Sequence, residues 1–282
     1  MGGGDIVYRL GDQKAGKSPS WSLSPDPELV EGELFVADDK WGPLTFMKLV
    51  HKAFYGGLKK MEKQAASLVE APSKVTLRKL KVTWDMMALL HEEHSVHEDK
   101  VLYPYFESFF PGVTATAQHE HEGHHEQLQA IGALFEGFEK ANGDEKTSLA
   151  VKIQSALADY SAVLTEHMLM EENHLNPLAR KHMPIVMHIE ALRKVYEVTS
   201  PATWVKLLPF ILESQELYGY RVRTLRCLRW AMPERMQQIG RHVYQGVELP
   251  LWKRLIVDVP EMVPRGLGGC KILGRPGWER YY

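Results

Sequence analysis

Cysteine is scarce in this chain: 282 residues contain two, Cys227 and Cys270, with no Cys-x-x-Cys spacing. That excludes a disulfide framework and a thiolate metal site, and makes the reducing cytoplasm the expected compartment. Long apolar runs are missing too. None approaches the roughly 18 residues of a membrane span, and no secretory hydrophobic segment stands near the start. Charge of one sign is also lacking. A formal net charge of −2 gives no electrostatic reason to expect nucleic acid or an acidic lipid surface as partner. The opening MGGGDI puts Ile6 where N-myristoylation requires Ser or Thr.

What the chain does have is histidine, thirteen in all. Most fall in one stretch, and part of that stretch is repeated. HSVHEDKVLYP (94–104) and HMLMEENHLNP (167–177) superpose at a constant offset. The offset pairs His94 with His167, Glu98 with Glu171, Asp99 with Glu172, Leu102 with Leu175 and Pro104 with Pro177.

Helical periodicity surrounds both copies. Phe46, Val50, Phe54, Leu58 and Met61 recur at helical spacing until Ala71-Pro72. Ser73 can cap a second helix carrying Leu77, Leu80, Trp84, Met87 and Leu90 and reaching Pro111-Gly112. Thr114 opens a third helix with Leu128, Ile131, Leu134, Phe135 and Phe138, and Asn142-Gly143 closes it. The fourth runs from about Thr147 to near His182. Four long amphipathic helices with short connections predict an all-α chain built on an up-down-up-down four-helix bundle. The domain reading is an irregular N-terminal segment over 1–40, the bundle over 41–183, and a C-terminal extension over 184–282. Helical patterns at 185–199, 201–219, 221–231 and 233–246 mark the extension, followed from Val259 by a Gly/Pro-rich tail expected to lie extended. Arg221, Arg223, Arg226 and Arg229 read as a solvated helix face.

Residues four apart on a helix share a face, one turn apart. His94 with Glu98, and His167 with Glu171, therefore aim at one level each. His121 and His125 have the same spacing, and His51 lies on the apolar stripe of the first helix. A lone His51 in that position is more often a satisfied core residue than a ligand. His119, His121, His124 and His125 cannot all point inward. Two repeated His-x3-Glu pairs are harder to dismiss, because each buried carboxylate needs a partner. Imidazole mixed with carboxylate, without thiol, suits iron or manganese. A rival pattern, Glu122-x-x-His125 with Glu171-x-x-His174, has the spacing of ferritin-like di-iron enzymes but leaves His51, His94 and His167 without a purpose.

These motifs resemble those of the hemerythrin-like (HHE cation-binding) family over residues 45 to 182. His51, HSVHEDKVLYP, HEGHH and HMLMEENHLNP carry the likeness. The resemblance implies a non-haem di-iron centre held by five His and two bridging carboxylates. Carried over by position, the ligands are His51, His94, Glu98, His121, His125, His167 and Glu171, with Glu120 and Glu172 outside the set. Oxygen carriers of the family have Asp five places after the fourth-helix His; here Glu172 stands there and Glu171 stands at four. The implied role is binding of iron and of O2 or NO for sensing, storage or carriage, more than enzymatic turnover. A di-iron oxidase or oxygenase, or an iron donor for iron–sulfur repair, is the alternative. Two iron ions are expected, manganese being the other candidate, and the C-terminal extension is the expected surface for any protein partner. Since these ligands all lie between 51 and 171, a chain ending near His182 is expected to keep its metal.

Overall fold

The computed structural model describes residues 45–264. The expected N-terminal segment, Cys270 and most of the Gly/Pro-rich tail lie outside them. The described residues are helical, with no strand among them, and none of their helices is long and apolar enough to cross a membrane. They fall into two compact units. One is Phe54–Ala179; the other joins the residues up to Ala53 with those from Arg180 on.

The unit over Phe54–Ala179 holds most of helix α1 (Thr45–Glu70), then α2 (Lys74–His97), α3 (Tyr103–Phe109), α4 (Ala115–Lys140) and α5 (Gly143–Met170). Ser73 caps α2 as its sequence predicts. Its hydroxyl accepts from Thr76 N–H while Thr76 Oγ1 accepts from Ser73 N–H, a reciprocal box that satisfies the first orphan donors. Between α3 and α4 the chain turns at Gly112, whose φ of 84° only glycine adopts without strain. Glu107 clamps that turn, accepting from Gly112 N–H and from Thr114 N–H. α4 packs along α5 and against α2, and α1 meets α2 at Gly57, where a Cβ would come within 2.2 Å of Met87 Sδ. The core is aromatic at one level. Trp84 lies 5.8 Å from Phe135 and 5.5 Å from Tyr160, ring centre to ring centre.

Two interruptions matter most. α2 does not pass directly into α3: residues Glu98–Leu102 form a π-helical turn. α5 is joined in the same way to α6 (Asn176–His182) by a π-turn over Glu171–Leu175. In each, the closing N–H reaches back five residues, Tyr103 to Glu98 O and Asn176 to Glu171 O. The cause is legible in the repeat. Pro104 and Pro177 have no N–H for the carbonyl four residues back, and their rings collide with it. A wider turn just before each proline removes the conflict without ending the helix.

The other unit contains the first two turns of α1 and helices α7 (Ile185–Val198), α8 (Pro201–Ser214), α9 (Tyr218–Ala231), α10 (Met236–Gly246) and α11 (Leu249–Asp258). The last of these has no counterpart in the sequence reading. α8 runs against α10 so closely that a Cβ on Gly246 would meet Pro209 at 2.2 Å. Fully buried Gln215, in the α8–α9 turn, donates to Leu49 O on α1 and to Thr224 Oγ1 on α9. The arginines of α9 are not a solvated face. Arg223 is buried, Arg221 donates twice to Gln215 O, and Arg229 pairs with Glu261 at 2.6 Å. Residues 260–262 are not extended either; they make a 3-10 turn that buries Met262 against Gly240.

Candidate metal centre

The repeated prolines put the two π-turns at matching places, and each turn opens on a buried carboxylate four residues after a buried histidine. Two groups of donor atoms come together there. His51, His94, Glu98 and Glu171 make one; Glu98, His121 and His167 make the other. Within each group, one donor atom from every side chain lies within 4.8 Å of all the others. Glu98 belongs to both. His51 rides on α1, which continues unbroken past the division at Ala53.

Around Glu98, His94 Nε2 stands 3.0 Å from Oε1 and His121 Nε2 stands 3.4 Å from Oε2. Burial alone would push this carboxyl up, but His94, His121 and His167 outweigh burial and hold it well below the usual carboxylate range. Glu171 Oε1 accepts the hydroxyl proton of Tyr103 at 2.7 Å. Tyr103 also stacks on His121 at 5.7 Å, and burial next to Glu98 and Glu171 raises its phenol, keeping it a donor. Glu172, one place on, accepts from Tyr55 at 3.5 Å.

His121 and His167 face each other, Nε2 to Nε2, at 3.2 Å. Their other nitrogens are each held by an acid: His121 Nδ1 by Asp99 at 3.0 Å and His167 Nδ1 by Glu120 at 2.7 Å. Burial opposes charge on His121, yet Glu98 and Asp99 win and its pKa rises to about 9.

His125, one of the ligands the resemblance implies, stands outside both donor groups. It is exposed and bonded to Gln129 at 2.8 Å, away from the cluster. His124 is the inward residue instead, 2% exposed, with no hydrogen-bond partner on either ring nitrogen. Its ring meets His167 edge-on at 5.0 Å and His91 at 5.2 Å. Burial, then His167 and His121, lower its pKa to about 4, so it is a neutral donor. Register on α4 gives the reason. Buried positions Ala117, His121, His124, Ile131, Phe135 and Phe138 follow steps of four and three, with one step of seven across half-buried Leu128, the spacing of a helix seam. One heptad back from Ile131 is His124. The four-residue rule from His121 leads to His125, whereas the stripe extended backwards leads to His124.

His91 is buried and bonds Tyr160 through Nδ1 at 2.7 Å. The rival pattern loses its ligands, since Glu122, His125 and His174 are all exposed.

The residues present fit a cation. Two carboxylates without solvent exposure lie among imidazoles at one level, where buried anions demand compensating positive charge. The two Nε2 atoms at 3.2 Å, with each Nδ1 held by an acid, can share the proton of a charged His121 or take a cation in its place.

Buried histidines and carboxylates gathered within a helical unit define a class: helical proteins whose His/Glu cluster can hold a metal. The particular family follows from a direct match. Residues 42–179 match the model of the hemerythrin HHE cation-binding domain. No curated protein and no solved structure matches the chain.

Proposed function

We propose that residues 41–183 form an up-down-up-down bundle of α1, α2, α4 and α5 that holds two iron ions and presents one of them to O2 or NO. Residues 184–282 are the C-terminal extension of that bundle. His51, His94, Glu98 and Glu171 serve one ion. Glu98, His121 and His167 serve the other, with His124 as the fifth imidazole in place of His125. The observation that carries this reading is Glu98, shared by both donor groups and fully buried. A carboxylate common to two clusters is what a bridged pair of cations requires.

Donor chemistry supports iron over a structural zinc: imidazole and carboxylate, no thiolate, and more donors than one tetrahedral ion takes. Bound iron supplies one-electron redox chemistry and an affinity for diatomic ligands. The chain's own contribution is to keep that pair reduced. Imidazoles outnumber carboxylates, so little negative charge is present to favour the oxidised ions. Tyr103 takes further electron density from Glu171 through its hydrogen bond. Among the described residues, no nucleophile–base pair stands beside the cluster to act on an organic substrate. The role proposed is therefore sensing, storage or carriage, in the cytoplasm.

Two measurements test it. Elemental analysis of anaerobically iron-loaded protein is expected to give two iron per chain; one zinc and no iron would overturn the reading. Stopped-flow mixing of the reduced protein with O2 or NO is expected to give one binding event followed by slow oxidation. Sustained oxygen consumption with added reductant would make it an oxidase. Transfer of its iron to an apo iron–sulfur acceptor would make it a donor.

A further inference from the structure

His121 and His167 come from different helices, yet each is held the same way from behind. We infer that Asp99 and Glu120 are positioning residues that fix the tautomers of His121 and His167 and thereby set the affinity of one of the two metal positions. The inference rests on the two-ion reading above, which assigns these histidines to one ion.

A carboxylate only accepts hydrogen bonds, so the 3.0 Å contact of Asp99 with His121 Nδ1 and the 2.7 Å contact of Glu120 with His167 Nδ1 both require a proton on Nδ1. In the neutral imidazole that a metal binds, that leaves the lone pair on Nε2. Both Nε2 atoms point at the shared cluster, one toward Glu98 at 3.4 Å and the other toward Glu171 at 3.8 Å. The acids thus decide which nitrogen each ring offers. They can do so because they stay wet: the Asp99 side chain is 40% exposed and that of Glu120 36%, so neither must shed its hydration to remain charged. The histidines beneath them are buried.

The sequence repeat sharpens the point, because the structure breaks it. Asp99 and Glu172 occupy equivalent places, but Asp99 backs a histidine of α4 whereas Glu172 accepts from Tyr55. The acid behind His167 comes instead from α4, as the neighbour of His121. A pair of crossed supports results. The π-turn after α2 steadies the histidine of α4, and α4 steadies the histidine of α5.

The test uses the full chain. In metal-free protein, nitrogen-15 NMR of the imidazoles should show His167 protonated at Nδ1. Glu120→Ala should move that proton to Nε2, while Glu120→Gln, whose amide oxygen still accepts, should not. Anaerobic titration with ferrous iron should show one of two ions weakened about 10- to 100-fold in Glu120→Ala and in Asp99→Ala, and the other unchanged. Glu122→Ala, exposed on the same helix, serves as the control and should match wild type in both measurements. An unchanged His167 tautomer in Glu120→Ala, or two unchanged affinities, overturns the inference. Wild-type protein that takes up no iron overturns the two-ion reading instead, and the tautomer of His167 still decides this one.

Discussion

At the scale of single residues, the choice between His124 and His125 is the sharpest test of the site. One is buried with both ring nitrogens unused, the other exposed and bonded to a neighbour on its own helix. His124→Ala should lower iron content by at least half, and His125→Ala should leave it at wild type, by elemental analysis after dialysis. Equal losses, or loss only at His125, would restore the family's usual spacing. Six of the seven expected ligands, all but His125, sit in the two donor groups. The spacing of four put His94 with Glu98 and His167 with Glu171, because helix geometry maps it directly onto a shared face, whereas His51 came only with the family resemblance. His125 misled for the same reason: it also obeys that spacing, and only the seam running back from Phe138 and Ile131 separates it from His124. Glu120 was illegible in another way. Nothing in its local pattern says that it reaches a histidine on a different helix.

At the scale of elements, the prolines of the repeat are the informative feature. Sequence reading carried both helices through Pro104 and Pro177, and the chain does continue, but with a π-turn before each. Helix ends were legible where a cap or a glycine marks them, as at Ser73. The wide turns were not, because hydrophobic periodicity averages over a single extra residue. Replacing Pro177 by Ala supplies the missing N–H and removes the ring clash, an effect on the order of 3 kcal/mol for an interior helix position. The metal-free variant should therefore melt higher than wild type by circular dichroism. Tightening of the turn also displaces Glu171, so iron affinity should fall about tenfold. A variant that melts higher with unchanged affinity would show that the turn's width does not place Glu171.

For the whole molecule, the division into units changes the expectation for truncation. A chain ending after His182 keeps every proposed ligand. It also loses α7–α11, and with them Gln215, whose side chain bonds Leu49 O two residues before His51. Residues 45–53 belong with the C-terminal helices, not with the unit that follows them. Truncation should thus fray the start of α1 and release the ion served by His51, retaining about one iron per chain. Full retention of two irons would show that α1 holds its first two turns unaided. None of this was visible in the extension's sequence. Its helices were legible from their periodicity up to Gly246, but hydrogen bonds across 166 positions of sequence leave no local trace.

The π-turns finally bear on how this chain tolerates a change in its own length. Deleting one residue inside an ordinary α-helix rotates everything beyond it by about 100° and turns buried side chains out to water. A π-turn already holds one residue too many. Removing Lys100, an exposed member of the first turn, returns the backbone to regular spacing with α3 still in register, provided Pro104→Ala removes the ring that made the extra room necessary. The double variant should stay helical and cooperative on heating, whereas deletion of Val82 from the middle of α2 should not. Two places in this chain should therefore lose a residue and keep the fold, and they are the turns that carry the proposed ligands Glu98 and Glu171.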